Sequence, residues 1–445
     1  MNRRIRCKMN GQMRNKARLL AHASTVALLA AAGNFGVVAE AQAACLNITT
    51  PTTISTDQDC AEVTTTVSGN VVNNANVGPP AGGGPGFFVG GEGSITGELL
   101  NNDTISGGDD ETNGALTIAG GGNIAGGIRN TGQIDSANGN GISLGSGTTD
   151  SYSSAAMTGS ITNSGGIHGG ANGVAALFGT MSGGLTNNSN GVITGGDAAV
   201  YIASTFTRWD GGINNFGNIA GDTAGIRVGD LTGTGVGDVD FFGDIQNYGT
   251  ISSLNGPSVI AGGNSFNGGI YNNGGVITQR DAGAAGGEGT YAGVGIVVSA
   301  ETFNGPIQNS GQILGRGGPA IWVTYENNSF NGDIYNVNLI QSDGSDGTAV
   351  LIQSGTFNGS VFNEASGNII GAQSGVAIRP DEFYGNVENA GTIYGNNGGG
   401  LIISSDIIDG SEGFGGVAAE IVNRKPSVFI PPWLKWQKKH WKVQA

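Results

Sequence analysis

From Val67 to Asn423 the chain keeps returning to one order of apolar and polar positions: apolar, any residue, small, any residue, apolar, any residue, Asn. Thirteen copies occur, clearest in Phe266-Asn267-Gly268-Gly269-Ile270-Tyr271-Asn272 and in the copies that begin at Phe303, Phe330 and Phe357. The third position is Gly in every copy but the last, which has Ala419. The closing residues are Asn73, Asn101, Asn130, Asn163, Asn187, Asn215, Asn247, Asn272, Asn309, Asn336, Asn363, Asn389 and Asn423, spaced 24 to 37 residues apart. A period of this length, repeated this often, predicts a repeat architecture.

Within each copy the apolar residues fall two or four apart, the spacing of one face of a strand and not of a helix. Another apolar residue follows four positions after most of the Asn residues, as in Ile134, Ile167, Ile219, Val276, Ile313 and Ile393. A third apolar run comes next, for example Gly141-Ile142-Ser143-Leu144, Ala320-Ile321-Trp322-Val323 and Leu401-Ile402-Ile403. Three short strands per turn, joined at Gly, Asn, Asp and Ser corners, predict an all-β fold, a parallel β-helix of about thirteen coils and roughly triangular section.

Coils stacked about 4.8 Å apart superimpose like on like. Phe241, Phe266, Phe303, Phe330, Phe357 and Phe383 then form an inward column, continued toward the N-terminus by Trp209, Met181, Met157 and Ile124. The repeated Asn is read as structural: at a corner it accepts a left-handed conformation and pairs its amide with the copies above and below. The expected ladder is Asn130, Asn163, Asn187, Asn215, Asn247, Asn272, Asn309, Asn336, Asn363 and Asn389.

Charge narrows the partners. Glycine supplies 85 of 445 residues without a collagen period, and registered Ile, Val and Phe columns argue against a disordered tract. Residues 44–423 hold 33 of the 34 acids and only six basic residues (Arg129, Arg208, Arg227, Arg280, Arg316 and Arg379), a balance of −27. Such a body repels nucleic acid and anionic membranes, and divalent cations are its natural counter-ions. No cofactor is expected.

Residues 1–43 read as a signal peptide: Arg3, Arg4, Arg6, Lys8, Arg14, Lys16 and Arg18 precede an apolar stretch, and Ala41-Gln42-Ala43 fits small-x-small cleavage. Export then places Cys45 and Cys60 in an oxidising compartment, where they most simply form one disulfide. That bond would pin a loop over the first coil, and 44–66 would cap the solenoid, which begins at residue 67. No CxxC or His partner suggests a redox or metal role for the pair.

The basic signal, the Cys pair just behind it and the Gly-x-Ile-x-Asn-x-Gly-x-Ile coils together resemble the passenger domain of a bacterial autotransporter, the type V secreted, pertactin-like right-handed β-helix. The resemblance covers nearly all of 44–423. It implies surface display through an outer-membrane β-barrel translocator; the function expected for such a displayed rod is adhesion to host or abiotic surfaces or glycans and biofilm-type contacts. It does not by itself imply an activity, since passengers of this shape host adhesins, toxins and enzymes. No barrel-like strands follow Asn423. Residues 424–445 change composition abruptly, with Trp433, Trp436 and Trp441 beside Lys-rich sequence. They are expected to be a disordered or frameshifted tail; without its barrel the chain would stay in the periplasm or leak.

Catalytic chemistry is sparse. His168 is expected in a corner, and zinc would need more His and Cys than exist. The rival to adhesion is a polysaccharide lyase or hydrolase working with carboxylates. Its best candidates are Asp238, Asp240 and Asp244, or Asp343 with Asp346, all read in the first place as solvated corner acids.

Overall fold

The computed structural model describes residues 45–80, 83–107, 113–148, 151–229, 239–280, 291–344 and 347–405, with the strands Ile421–Asn423 and Val443–Gln444. One turn contains Val259–Ala261, Ser265–Asn267, Ile270–Asn272 and Val276–Gln279, and the chain returns beneath its start at Ile296–Val298. These series make four faces, numbered here in that order. The described residues contain no helix. Among the described residues every stacked pair is parallel, and the one antiparallel pair, Ser146–Thr148 with Ser151–Ser153, is a hairpin inserted at a corner.

The first face has 14 strands, the third 15 and the fourth 11. Each of the thirteen expected Asn residues ends a strand of the third face. The turn has four strands where three were expected, because the repeat motif is two strands with a bend between them. Glycine permits that bend. A Cβ placed on Gly268, Gly305, Gly332, Gly359 or Gly385 would overlap the carbonyl oxygen of the motif glycine one coil before it. Close approach of backbone to backbone at this bend, repeated coil after coil, excludes every side chain.

The core is a set of registered ladders. On the second face Met157, Met181, Trp209, Phe241, Phe266, Phe303, Phe330, Phe357 and Phe383 pair in sequence. Phe266, Phe303 and Phe330 stack with centroids 5.1 and 4.9 Å apart. Ile124 belongs to a separate three-stranded sheet with Val67 and Ile95. The two sheets meet where Gly159 donates its N–H to the Ile124 carbonyl.

Four details depart from the sequence reading. The fourth-face ladder uses Ile277, fully buried, and not Val276, because the corner before it contains one extra residue, with Gly274 at φ 80°. The ladder Asn residues do not take left-handed backbone; among described non-glycine residues only Glu92 has a positive φ. They lie at strand ends, so extended backbone suits them. The solenoid also starts before residue 67: Leu46–Asn47 and Thr52–Ile54 already pair in parallel with Ala61–Val63 and Val71–Asn73. Residues expected to cap the rod are its first coil. Finally, Val443–Gln444 adds a strand beside Ile421–Asn423, so part of the expected disordered tail joins the third face. Residues 1–44, and with them the expected signal peptide, lie outside the described residues.

Candidate functional site

Two of the expected features hold the coils together. Cys45 and Cys60 are disulfide-bonded at a Cα separation of 4.5 Å. Each directly precedes one of the paired residues Leu46 and Ala61, so the bond ties two stacked strands at equal height. The Asn amides form an unbroken series in which Nδ2 of each residue donates to Oδ1 of the next, from Asn73 to Asn101 at 2.8 Å through to Asn363 and Asn389 at 2.8 Å. The same Nδ2 groups donate to corner carbonyls, as Asn130 does to Gly132 and Gly166. Asn73 and Asn101 extend the series two residues beyond the expected ladder. All are buried, where an unpaired amide would cost about 1–3 kcal/mol.

The expected carboxylates are engaged in fold contacts. Asp240 accepts hydrogen bonds from Ser265 Oγ at 2.5 Å and Asn264 Nδ2 at 3.3 Å. Asp244 accepts the Gly269 N–H at 2.8 Å, holding the next bend. Arg208 stands beside Asp240 in register, yet its guanidinium pairs with Asp210 at 2.6 Å and covers the Phe242 ring at 4.0 Å. Asp343 meets Arg316 at 3.4 Å on the surface. Asp238 and Asp346 lie outside the described residues. His168 lies in the strand Gly166–Gly169 and not in a corner, its Nδ1 2.7 Å from Thr194 Oγ1. No three His, Cys, Asp or Glu side chains among the described residues come together as metal ligands.

An open cleft lies at positions that the repeat leaves unrestricted. On the outer surface of the third face, Gln308, Tyr335, Phe362 and Glu388 occupy successive rungs in register. The two rings lie 6.4 Å apart and tilted. Asp333 and Glu364 border them, and together these six side chains line an open groove of about 580 Å³. Gly305, Pro306 and Gly332, at and beside the bend, complete its lining. The Asp333 carboxylate accepts the Ser360 N–H at 2.8 Å. The Tyr335 phenol is pushed above its usual value by burial and by its hydrogen bond to Glu364 and that group's charge. The available signal is the aromatic residue just before the closing Asn, an unrestricted position of the repeat occupied by Tyr271, Tyr335 and Phe362.

Two other aromatic features reach the surface. Phe216 and Tyr248 stack at 4.7 Å on a corner, each 44% exposed. Tyr291, the last residue of the long 282–291 insert and the only one described, packs its ring 5.1 Å from Trp322 and donates to Glu326. No known protein family, curated protein or solved structure matches this chain.

Proposed function

We propose that the chain is an exported, non-enzymatic passenger domain of the autotransporter type, displayed at a bacterial surface as an adhesive rod. Its turns are right-handed, as nearly all connections between parallel strands of one sheet are. The reading is supported foremost by the division of labour within each repeat: inward positions stay apolar and the bend position is glycine in all copies but the last, while outward positions vary from coil to coil and carry the exposed rings and groove. Such an arrangement presents different side chains on a stiff scaffold without disturbing the core, which suits multivalent contact. The hydrogen-bonded and ion-paired state of Asp240, Asp244 and Asp343 favours adhesion over polysaccharide cleavage.

The test is display. Cells carrying the chain fused to an autotransporter barrel should attach to glass, polymer or glycan-coated surfaces more than cells with the barrel alone. Equal attachment on all of them would remove the adhesive reading.

A further inference from the structure

We infer that the third-face groove binds a linear oligomer of a basic amino sugar, with the ring faces on Tyr335 and Phe362 and the free ammonium groups against Asp333, Glu364 and Glu388. The inference rests on the adhesive reading and supplies its ligand class.

Shape argues for an extended ligand. Gln308, Tyr335, Phe362 and Glu388 are four successive rungs, separated by three inter-coil steps. At the usual spacing of neighbouring strands those steps add to roughly 14 Å. The groove therefore runs along the stacking direction. A head-to-tail pyranose chain advances by close to one strand spacing per unit, so successive sugars meet successive rungs. A compact ligand would leave most of the trough empty.

Chemistry argues for sugar and for positive charge. Tyr335 and Phe362 are half-buried. Rings so placed on a wet surface offer flat apolar faces for the C–H side of a pyranose, and Gln308 offers an amide for its hydroxyl edge. No Lys or Arg lines the groove, three carboxylates do, and residues 44–423 carry a net −27. Uronate or sulfated chains are therefore repelled, whereas an ammonium gains both the carboxylates and the ring faces. Glu364 borders the Tyr335 and Phe362 rings in the groove lining. A lysine-rich peptide carries the same charge on flexible stems, which lose more freedom on binding than a sugar ring does.

Calorimetric titration of the full chain with a glucosamine hexamer, an N-acetylglucosamine hexamer, a galacturonate hexamer and hexalysine tests this. The glucosamine hexamer should bind saturably and at least tenfold more tightly than the other three. Phe362→Ala and the isosteric double variant Glu364→Gln/Glu388→Gln should each weaken it at least tenfold, while Phe216→Ala, outside the groove, leaves it unchanged. The double variant keeps the test decisive if Phe362→Ala loses stability. Absence of saturable binding, equal affinity for the acetylated hexamer, or hexalysine binding as tightly and ignoring Phe362→Ala would each overturn the inference. Beads coated with the chain that adhere to surfaces although no hexamer binds would overturn the groove assignment alone; beads that fail to adhere count against the adhesive reading.

Discussion

Asn272 Nδ2 lies 2.8 Å from Asn309 Oδ1 across 37 residues of chain, and Asn163 Nδ2 lies 2.9 Å from Asn187 Oδ1 across only 24. The buried link is the same whatever the length of the connection, because the strands Val276–Gln279 and Ile296–Val298 on either side of the longest one keep their places in the stack. Each amide accepts from one neighbour and donates to the other, an arrangement in which hydrogen bonds polarise one another. The ladder therefore sets the coil register while leaving the loops free to vary.

Replacing one rung with a carboxylate should make stability pH-dependent. In Asn272→Asp the new group can accept from Asn247, but once ionised it cannot donate to Asn309 or Gln312 as the amide does. Burial against the acceptor oxygens of Asn309 and Gln312 raises the folded pKa above the unfolded value of about 3.9, so the protonated variant is near wild type below about pH 4. Stability then falls as pH rises through the folded value, to a deficit of roughly 3 kcal/mol or more at neutrality. Urea midpoints across that range check it, and a deficit independent of pH would contradict the assigned ladder.

Phe303 is fully buried between Phe266 and Phe330. Phe303→Ala should cost about 3–5 kcal/mol. Phe303→Asp should unfold several coils, since an unpaired charge cannot be buried there. Unchanged circular dichroism and protease resistance in the Asp variant would show that the column does not face inward.

A Cβ on Gly332 would meet the Gly305 carbonyl oxygen, so Gly332→Ala must open the bend. The variant should lose roughly 2–3 kcal/mol, in the upper part of the range for single substitutions. Gly91→Ala provides the contrast: its φ is 61° and the space around it is open. There only the left-handed backbone conformation resists, at about 1–2 kcal/mol. Thermal melts should show the larger loss in Gly332→Ala, and the reverse order would mean that the bend does not depend on backbone contact.

Tyr335 should titrate above the ordinary phenol range in an ultraviolet pH titration, and Glu364→Gln should bring it down. Tyr271, held up by burial and by the charge of Asp244, should move little in that variant. Because the folded state binds these protons more tightly than the unfolded chain, their contribution is complete below about pH 10 and is lost as pH rises beyond it. A Tyr335 titration insensitive to Glu364→Gln would break the proposed pairing in the groove.

No polysaccharide cleavage is expected. Reducing-end and unsaturated-product assays on acidic polysaccharides should stay at background for the wild type, and Asp240→Asn should change nothing. Turnover that disappears in Asp240→Asn would restore the enzyme reading.

Periodicity alone determined the parallel solenoid, the inward Phe column and the thirteen stacked Asn residues, though not their place at strand ends, because each coil repeats the same burial pattern at fixed positions and one residue per coil is enough to align the next. Sequence is less informative wherever contacts form between coils. The bend within each motif is not legible there, because glycine at the bend answers to a carbonyl oxygen a whole coil away, as Gly332 does to Gly305. Counting from the Asn points to Val276 as an inward residue, but the added corner residue moves the ladder to Ile277. The groove depended on tertiary structure most of all. Tyr335, Phe362 and Glu388 occupy a position the repeat leaves unrestricted, and only stacking places them on adjacent rungs beside the bare glycine column. Inward positions obey a rule common to every coil, so they are legible one copy at a time; an outward site is assembled from differences between copies, and those acquire a location only when the coils are stacked.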